Sequence, residues 1–165
     1  MNNYRFAEMT EACLDDVLQI YTHYVLHTTA TFHTQPLTCE EMREIVFSSD
    51  PKYKTFVLLA ESQVCGYVLL TKHKPRAAYD ESAEVSIYLD AACKGKGLGD
   101  FALSRIEEYA RTQPLHVLIA TICGENESSI RLFEKNGYTK CAHYKEVGKK
   151  FGQRLDILGY QKILN

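Results

Sequence analysis

Lys94-Gly95-Lys96-Gly97-Leu98-Gly99 joins a strand-like run, Glu84-Val85-Ser86-Ile87-Tyr88-Leu89, to a long amphipathic segment. In that segment Leu98, Phe101, Ala102, Ile106, Tyr109 and Ala110 recur at helical spacing. Alternating glycines let consecutive backbone N–H groups turn into one concavity, and the following helix adds its unpaired N–H groups and positive dipole end. Lys94 and Lys96 contribute charge suited to a diphosphate. Two readings of the bend stand side by side: an anion cradle, or a glycine-rich turn that only connects strand to helix. The helix ends near Thr112-Gln113-Pro114, and His116 to Ile122 is almost continuously apolar. Such a run suits a buried strand parallel to its neighbour, because the intervening helix is a crossover. Residues 83–122 therefore read as a β-α-β unit.

Upstream, Tyr4 to Glu8 alternates as a first strand, and Leu14, Val17, Leu18, Tyr21 and Val25 mark a helix. A polar, threonine-rich segment, Thr28 to Gln35, leads to Thr38 and Glu41, a capping-box pair ahead of Met42, Ile45 and Val46, with Asp50-Pro51 as the stop. Phe56 to Leu59 and Val64 to Leu70 flank Glu61-Ser62-Gln63 as an antiparallel hairpin, and a loop follows from Lys72 to Glu81. Downstream, a short helix from about Ser128 to Lys135 closes at Asn136-Gly137. Two last strands, about Tyr138 to Val147 and Leu155 to Ile163, flank a basic loop. The order is strand, two helices, three strands, helix, strand, helix, two strands. It fits a mixed α/β (α+β) fold, a mostly antiparallel sheet with flanking helices, in one domain over residues 1–165. Gly97-x-Gly99-x-x-Ala102 matches a dinucleotide fingerprint formally, but it lies past mid-chain and after antiparallel strands. A nucleoside-triphosphate loop is a poorer match, since Gly95-Lys96 is followed by glycine instead of Ser or Thr.

Composition narrows the partners. With 21 acidic and 19 basic residues the net charge is −2, so no global basic field recommends nucleic acid or an anionic membrane, and any anion site is local. The six cysteines lie far apart without metal-ligand spacing and read as reduced core thiols. The first residues lack an apolar signal core, and no run reaches the ~18 apolar residues of a membrane span. A cytoplasmic location is expected.

The loop Lys94-x-x-Gly97-x-Gly99 between strand and helix, with Asn126 opening a later short helix, resembles the GNAT superfamily of acetyl-CoA-dependent N-acetyltransferases. Lys94 departs from the usual Arg or Gln, keeping charge but losing the planar guanidinium. Further blocks are similar to the phosphinothricin and methionine-sulfone acetyltransferase branch: Thr28 to Phe32, Lys74 to Tyr79, Glu84 to Tyr88, Gly124 to Asn126 and Lys145 to Gly152. The resemblance implies acetyl-CoA as co-substrate and no metal, in a cleft where two parallel strands splay. Its diphosphate would lie on the amides of Lys94, Gly95, Lys96, Gly97, Leu98 and Gly99, and its pantetheine arm along Val85, Ser86 and Ile87. Asn126 and Ser129 would flank that arm from the short helix. On residue type alone Asn126 reads equally as a helix cap. The branch also implies a homodimer and a small amino-acid-like amine as acceptor. A protein or peptide amine, or a non-catalytic acetyl-CoA-binding module, are the rival readings.

An alkyl ammonium has no lone pair, so transfer to an amine needs a proton acceptor. Glu84 is the candidate, set on the opposite face of its strand from Val85 and Ile87; its bland reading is a solvated or cross-strand-paired carboxylate. Many members carry a tyrosine on the last short helix to protonate the leaving thiolate, where this chain has Phe133. His143, Tyr138 and Tyr144 are near in sequence but read as packed strand residues, so no acid is named. Arg76 suits an acceptor carboxylate through its planar fork, with Tyr79 and Phe32 shaping the pocket and Lys150 adding charge from a late loop. Each of these four also reads as an ordinary surface or packing residue. His23 and His27 are four apart without a third ligand, and Cys123 reads as an inert buried thiol. The basic run Lys145 to Arg154 reads as a solvated loop or an RNA contact.

Overall fold

The computed structural model describes residues 3–165. The elements run β1 (Tyr4–Glu8), α1 (Leu14–His27), α2 (Cys39–Val46), β2 (Thr55–Ala60), β3 (Gln63–Lys72), β4 (Ser82–Leu89), α3 (Leu98–Arg111), β5 (Val117–Cys123), α4 (Glu127–Lys135), β6 (Thr139–Lys150) and β7 (Gln153–Ile163). They build one seven-stranded sheet in the order β1-β2-β3-β4-β5-β7-β6. Among the described residues only β4 and β5 run parallel, joined by α3 as crossover, which is the β-α-β unit read from the sequence. The expected capping box is present: the Thr38 hydroxyl accepts from Glu41 N–H at 3.1 Å, and the Glu41 carboxylate accepts from Thr38 N–H at 3.0 Å.

The sheet separates two cores. Strand alternation turns Val68, Leu70, Val85, Leu118 and Ala120 toward α3, whose Leu98, Leu103 and Ile106 are fully buried against them. The other face presents Val57, Leu59, Tyr67 and Leu69 to Val17, Tyr21 and Val25 of α1 and Met42 of α2. A four-tyrosine cluster forms there. Tyr88 stands edge-on to both Tyr21 and Tyr24 and stacks on Tyr67, with centroids 5.2 to 5.4 Å apart.

Three expectations are corrected. The basic stretch after Tyr144 is no loop: β6 and β7 pair on to Lys150↔Gln153, and a tight turn at Phe151-Gly152 with both φ angles positive (52° and 74°) reverses the chain. Its strand character was hidden because the inward-facing positions of β6 there are Gly148 and Lys150, so no apolar alternation marks it. His143 and Tyr144 lie on β6 but are exposed instead of packed. Of the cysteines only Cys65, Cys93 and Cys123 are core thiols; Cys39 and Cys141 are exposed and Cys13 is half-buried.

The β3–β4 contact allows no side chain at Gly66, where a Cβ would lie 2.8 Å from both the Tyr88 carbonyl oxygen and Leu89 Cδ2. Gly66→Ala is expected to lower stability by about 1–3 kcal/mol through strand displacement. Urea unfolding should show a lower midpoint at unchanged slope.

Candidate active site

Pairing between β4 and β5 covers only Ser82↔Val117, Ala83↔Leu118 and Glu84↔Ile119. Beyond that rung the two strands continue separately to Leu89 and Cys123, opening a fork in the sheet. A cleft of about 580 Å³ fills the fork, within the usual range for a small-molecule site. Tyr24 from α1 marks how the fork treats the main chain. Its hydroxyl donates to the Leu89 carbonyl at 2.6 Å and accepts from Leu89 N–H at 3.3 Å, while the next residue, Asp90, turns its N–H to Cys65 O at 2.8 Å. Leu89 and, by strand alternation, Ile87 therefore direct their polar groups away from β3 and into the fork.

At one end the cleft meets the glycine bend. Gly95 and Gly97 hold φ values of +76° and +77°, and open space surrounds both positions where a Cβ would stand. Gly97 is the N-cap of α3 and brings no side-chain cap, so the first-turn amides are left without a side-chain acceptor. Lys94 lies over the cleft wall with Nζ 4.9 Å above the Tyr24 ring. Behind the bend, Gly99 packs on Leu132 of α4, where a Cβ would approach Cδ2 to 3.0 Å. Asp100 does not oppose an anion freely. Lys135 and Asn136 hold its carboxylate at 2.8 and 2.9 Å, and these hydrogen bonds keep its pKa below the ordinary aspartate range.

At the closed end of the fork stands Glu84, half-buried on the last paired rung; it does not itself line the cleft, but its strand neighbour Val85 and its hydrogen-bond partner Thr121 do. Its Oε1 accepts from the Thr121 hydroxyl at 3.0 Å, and its Oε2 lies 3.1 Å from His73 Nδ1. The cleft is bounded on this face by Thr28, Thr29 and Ala30, tied across it by the Thr29 hydroxyl donating to Glu125 Oε1 at 2.6 Å.

Of the residues expected to hold the coenzyme, Val85, Ser86, Ile87, Lys94, Gly95, Gly97, Leu98, Gly99, Asn126 and Ser129 all line the cleft. Lys96 does not; its ammonium folds back to the Ala92 carbonyl at 3.3 Å. Asn126 is the cap of α4, its side-chain oxygen accepting from Ser129 N–H at 3.3 Å, and it faces the cleft as well. The four residues expected around the acceptor are not gathered there. Arg76 is exposed, and Tyr79 packs edge-on against His73. Phe32 lies over Gly148, leaving no room for a Cβ. Lys150 ends a strand and is buried, donating to the Thr31 carbonyl at 2.7 Å, and this burial pushes its pKa down. It straps the segment after α1 to β6.

The expectations omitted Tyr24, Thr121, Glu125 and His73. Thr121 could have been found, as a lone hydroxyl on an otherwise apolar strand; Tyr24 read as one more aromatic on a helix. Phe133 lines the cleft, buried, with its ring edge-on to Tyr138 at 4.9 Å. The Phe133 side chain itself has no proton to donate.

Residues 8–158 match the family described as acetyltransferase (GNAT) domain. Phosphinothricin N-acetyltransferase of Streptomyces coelicolor is 34% identical over 93% of this chain and 92% of its own length. L-methionine sulfoximine/L-methionine sulfone acetyltransferase of Salmonella typhimurium is 32% identical over 98% of this chain and 94% of its own. Among solved structures, a GNAT superfamily phosphinothricin acetyltransferase from Sinorhizobium meliloti in complex with acetyl-CoA superposes with a TM-score of 0.92 at 30% identity. That alignment covers 100% of this chain and 90% of the other.

Forcing a Cβ into the left-handed conformation at Gly97 costs ~1–2 kcal/mol. Gly97→Ala is expected to weaken CoA binding roughly tenfold in titration calorimetry. Lys96→Ala, whose ammonium is turned away, should stay within about twofold of wild type.

Proposed function

The chain belongs to the acetyltransferase (GNAT) family, an N-acetyltransferase enzyme, and from that premise we propose that it moves acetyl from acetyl-CoA directly to the amine of a small amino-acid-like acceptor. The observation that carries the proposal is a carboxylate fixed at the closed end of a fork whose open end is a glycine-lined anion cradle. Acetyl-CoA supplies the activated acyl thioester; the chain's own residues do the rest. Amides of the bend and of the first turn of α3 suit its diphosphate, with Lys94 adding charge. The main-chain groups that Ile87 turns into the fork suit an extended amide-bearing arm, as one more strand would.

The acceptor enters from the α1 side, where Glu84 and Thr121 face. An ammonium must lose a proton to expose its lone pair, and Glu84 takes it, directly or through one water. Thr121 and His73 hold the carboxylate so that its orientation is set before the amine arrives. With Phe133 where a proton donor would be useful, the thiolate leaves unassisted by that position, which a thiol of ordinary acidity tolerates near neutral pH.

Support for a small, oxygen-rich acceptor comes from the named relatives, which act on phosphinothricin and on methionine sulfoximine or sulfone. Arg76, exposed on the segment that also carries His73 and Tyr79 and outside the cleft lining, is the guanidinium we assign to an acceptor carboxylate. We place the reaction in the cytoplasm, in a homodimer.

A thiol-release assay across phosphinothricin, methionine sulfone, methionine sulfoximine, free amino acids, polyamines and peptides tests the reading. Turnover of at least one amino-acid analogue is expected, and reaction of peptides alone would refute the small-acceptor proposal. Glu84→Gln should lower kcat about a hundredfold or more at neutral pH while acetyl-CoA affinity is retained.

A further inference from the structure

His73 is the unexpected neighbour at the site. It follows β3 in sequence, on the segment leading to Arg76 and Tyr79, and its ring is clamped in two directions. Tyr79 meets it edge-on, with centroids 5.6 Å apart and planes at 80°. Its Nδ1 lies 3.1 Å from Glu84 Oε2. An ionised carboxylate has only acceptor sites, so the proton of a neutral imidazole in this contact sits on Nδ1 and Nε2 is bare. With Thr121 on the other oxygen, Glu84 is held from both sides, and each oxygen keeps a second lone pair for an ammonium or a water. The side chains of His73 and Glu84 are 20% and 27% exposed, so bulk protons reach the ring while the pair stays partly desolvated.

We propose that His73 is a positioning residue for Glu84: its Nδ1–H fixes the carboxylate while the ring is neutral, and protonation of the ring cancels the carboxylate's charge and switches the base off. The proposal rests on the reading of Glu84 as the base. An imidazolium beside a carboxylate stabilises the ionised form, which makes that carboxylate a poorer proton acceptor. Among the described residues, the titratable groups against His73 are Glu84 from β4 and Tyr79 from the turn after β3. Lys72 and Lys74, its neighbours in sequence, are exposed. The rate should therefore show an acid limb set by protonation of the ring, for a reason separate from protonation of the free amine. That limb should be the same for acceptors of different amine basicity.

The test compares kcat against pH, at saturating acetyl-CoA and acceptor, for wild type, His73→Asn, His73→Phe and Glu84→Gln. Asparagine places a non-titrating N–H where Nδ1 stands, whereas phenylalanine keeps a ring against Tyr79 without a donor. Expected are His73→Asn within about threefold of the wild-type rate at pH 8 but lacking the histidine limb, and His73→Phe down about tenfold or more with an unchanged KM for acetyl-CoA. An unimpaired His73→Phe, or a limb that persists in His73→Asn, overturns the assignment. If Glu84→Gln is crippled and His73→Phe is not, His73 alone is refuted; a fully active Glu84→Gln refutes the base itself and His73's action through it. Nitrogen-15 NMR of the His73 ring at pH 8 gives an answer that needs no turnover. The Nδ1–H tautomer is expected, and finding the proton on Nε2 instead overturns the proposal even if no acceptor tested reacts.

Discussion

The parting of β4 from β5 after Glu84↔Ile119 is the constraint on which the rest of the molecule depends. Strands inside a sheet satisfy each other's N–H and C=O groups, and a fork forfeits those bonds on both inner edges. The chain repairs this loss at the ends of the two strands: at Leu89, where the Tyr24 hydroxyl acts as acceptor and donor at once, and at Cys123, whose carbonyl accepts from Asn126 N–H at 2.9 Å. The remaining polar edge is open to water or to a ligand with an extended amide backbone. Tyr24 therefore both terminates the fork and leaves its middle open. Its ring is held on the other side by Tyr88 and carries Lys94 above it.

Because the fork runs through the sheet, its two faces are furnished by different helices. The α3–α4 face contributes the amides of the glycine bend and the close approach of Gly99 to Leu132, which holds the N-terminus of α3 against the C-terminal half of α4. The α1–α2 face contributes the segment after α1, and that segment has few apolar anchors of its own. It is fastened by polar contacts: Lys150 to the Thr31 carbonyl, Tyr21 to the Thr31 hydroxyl at 2.6 Å, and Thr29 to Glu125. A buried ammonium bonded to carbonyl oxygens is costly to unpair. Lys150, read in sequence as a charge for the acceptor, instead holds the wall against which an acceptor would rest.

Local signals in the sequence carried far. Three glycines, a capping box and runs of apolar residues at period two or near four are consequences of backbone geometry within a few residues, and they placed every helix and the parallel pair. The β6–β7 hairpin arm escaped because its covered face is made of Gly148 and Lys150 instead of apolar side chains, and because Phe151-Gly152 is not a pair associated with tight turns. The cleft residues on β4 and the bend were legible for the same local reason. Contacts made across the fold were not: the Glu84 to Thr121 bond spans 37 residues and the Tyr24 to Leu89 bond spans 65. Nothing in the immediate surroundings of His73 or Tyr24 marks them, since their meaning comes from strand register.

Register also fixes the direction from which chemistry can occur. Alternation turns Val85 and Ile87 into the α3 core and Glu84 to the opposite face, while the main-chain polar groups lie between, in the plane of the sheet. A ligand arm bonded along β4 thus lies in that plane, with apolar packing filling the space on its α3 side. An amine can then reach it only from the α1 face, where Glu84, Thr121 and the Thr29 to Glu125 tie are found. A slip of one residue between β3 and β4 would exchange the faces and send Glu84 into the α3 core. The crowding at Gly66, where Leu89 and the Tyr88 carbonyl leave no space, pins the end of β4 against β3 and so guards the position of the carboxylate from five residues away.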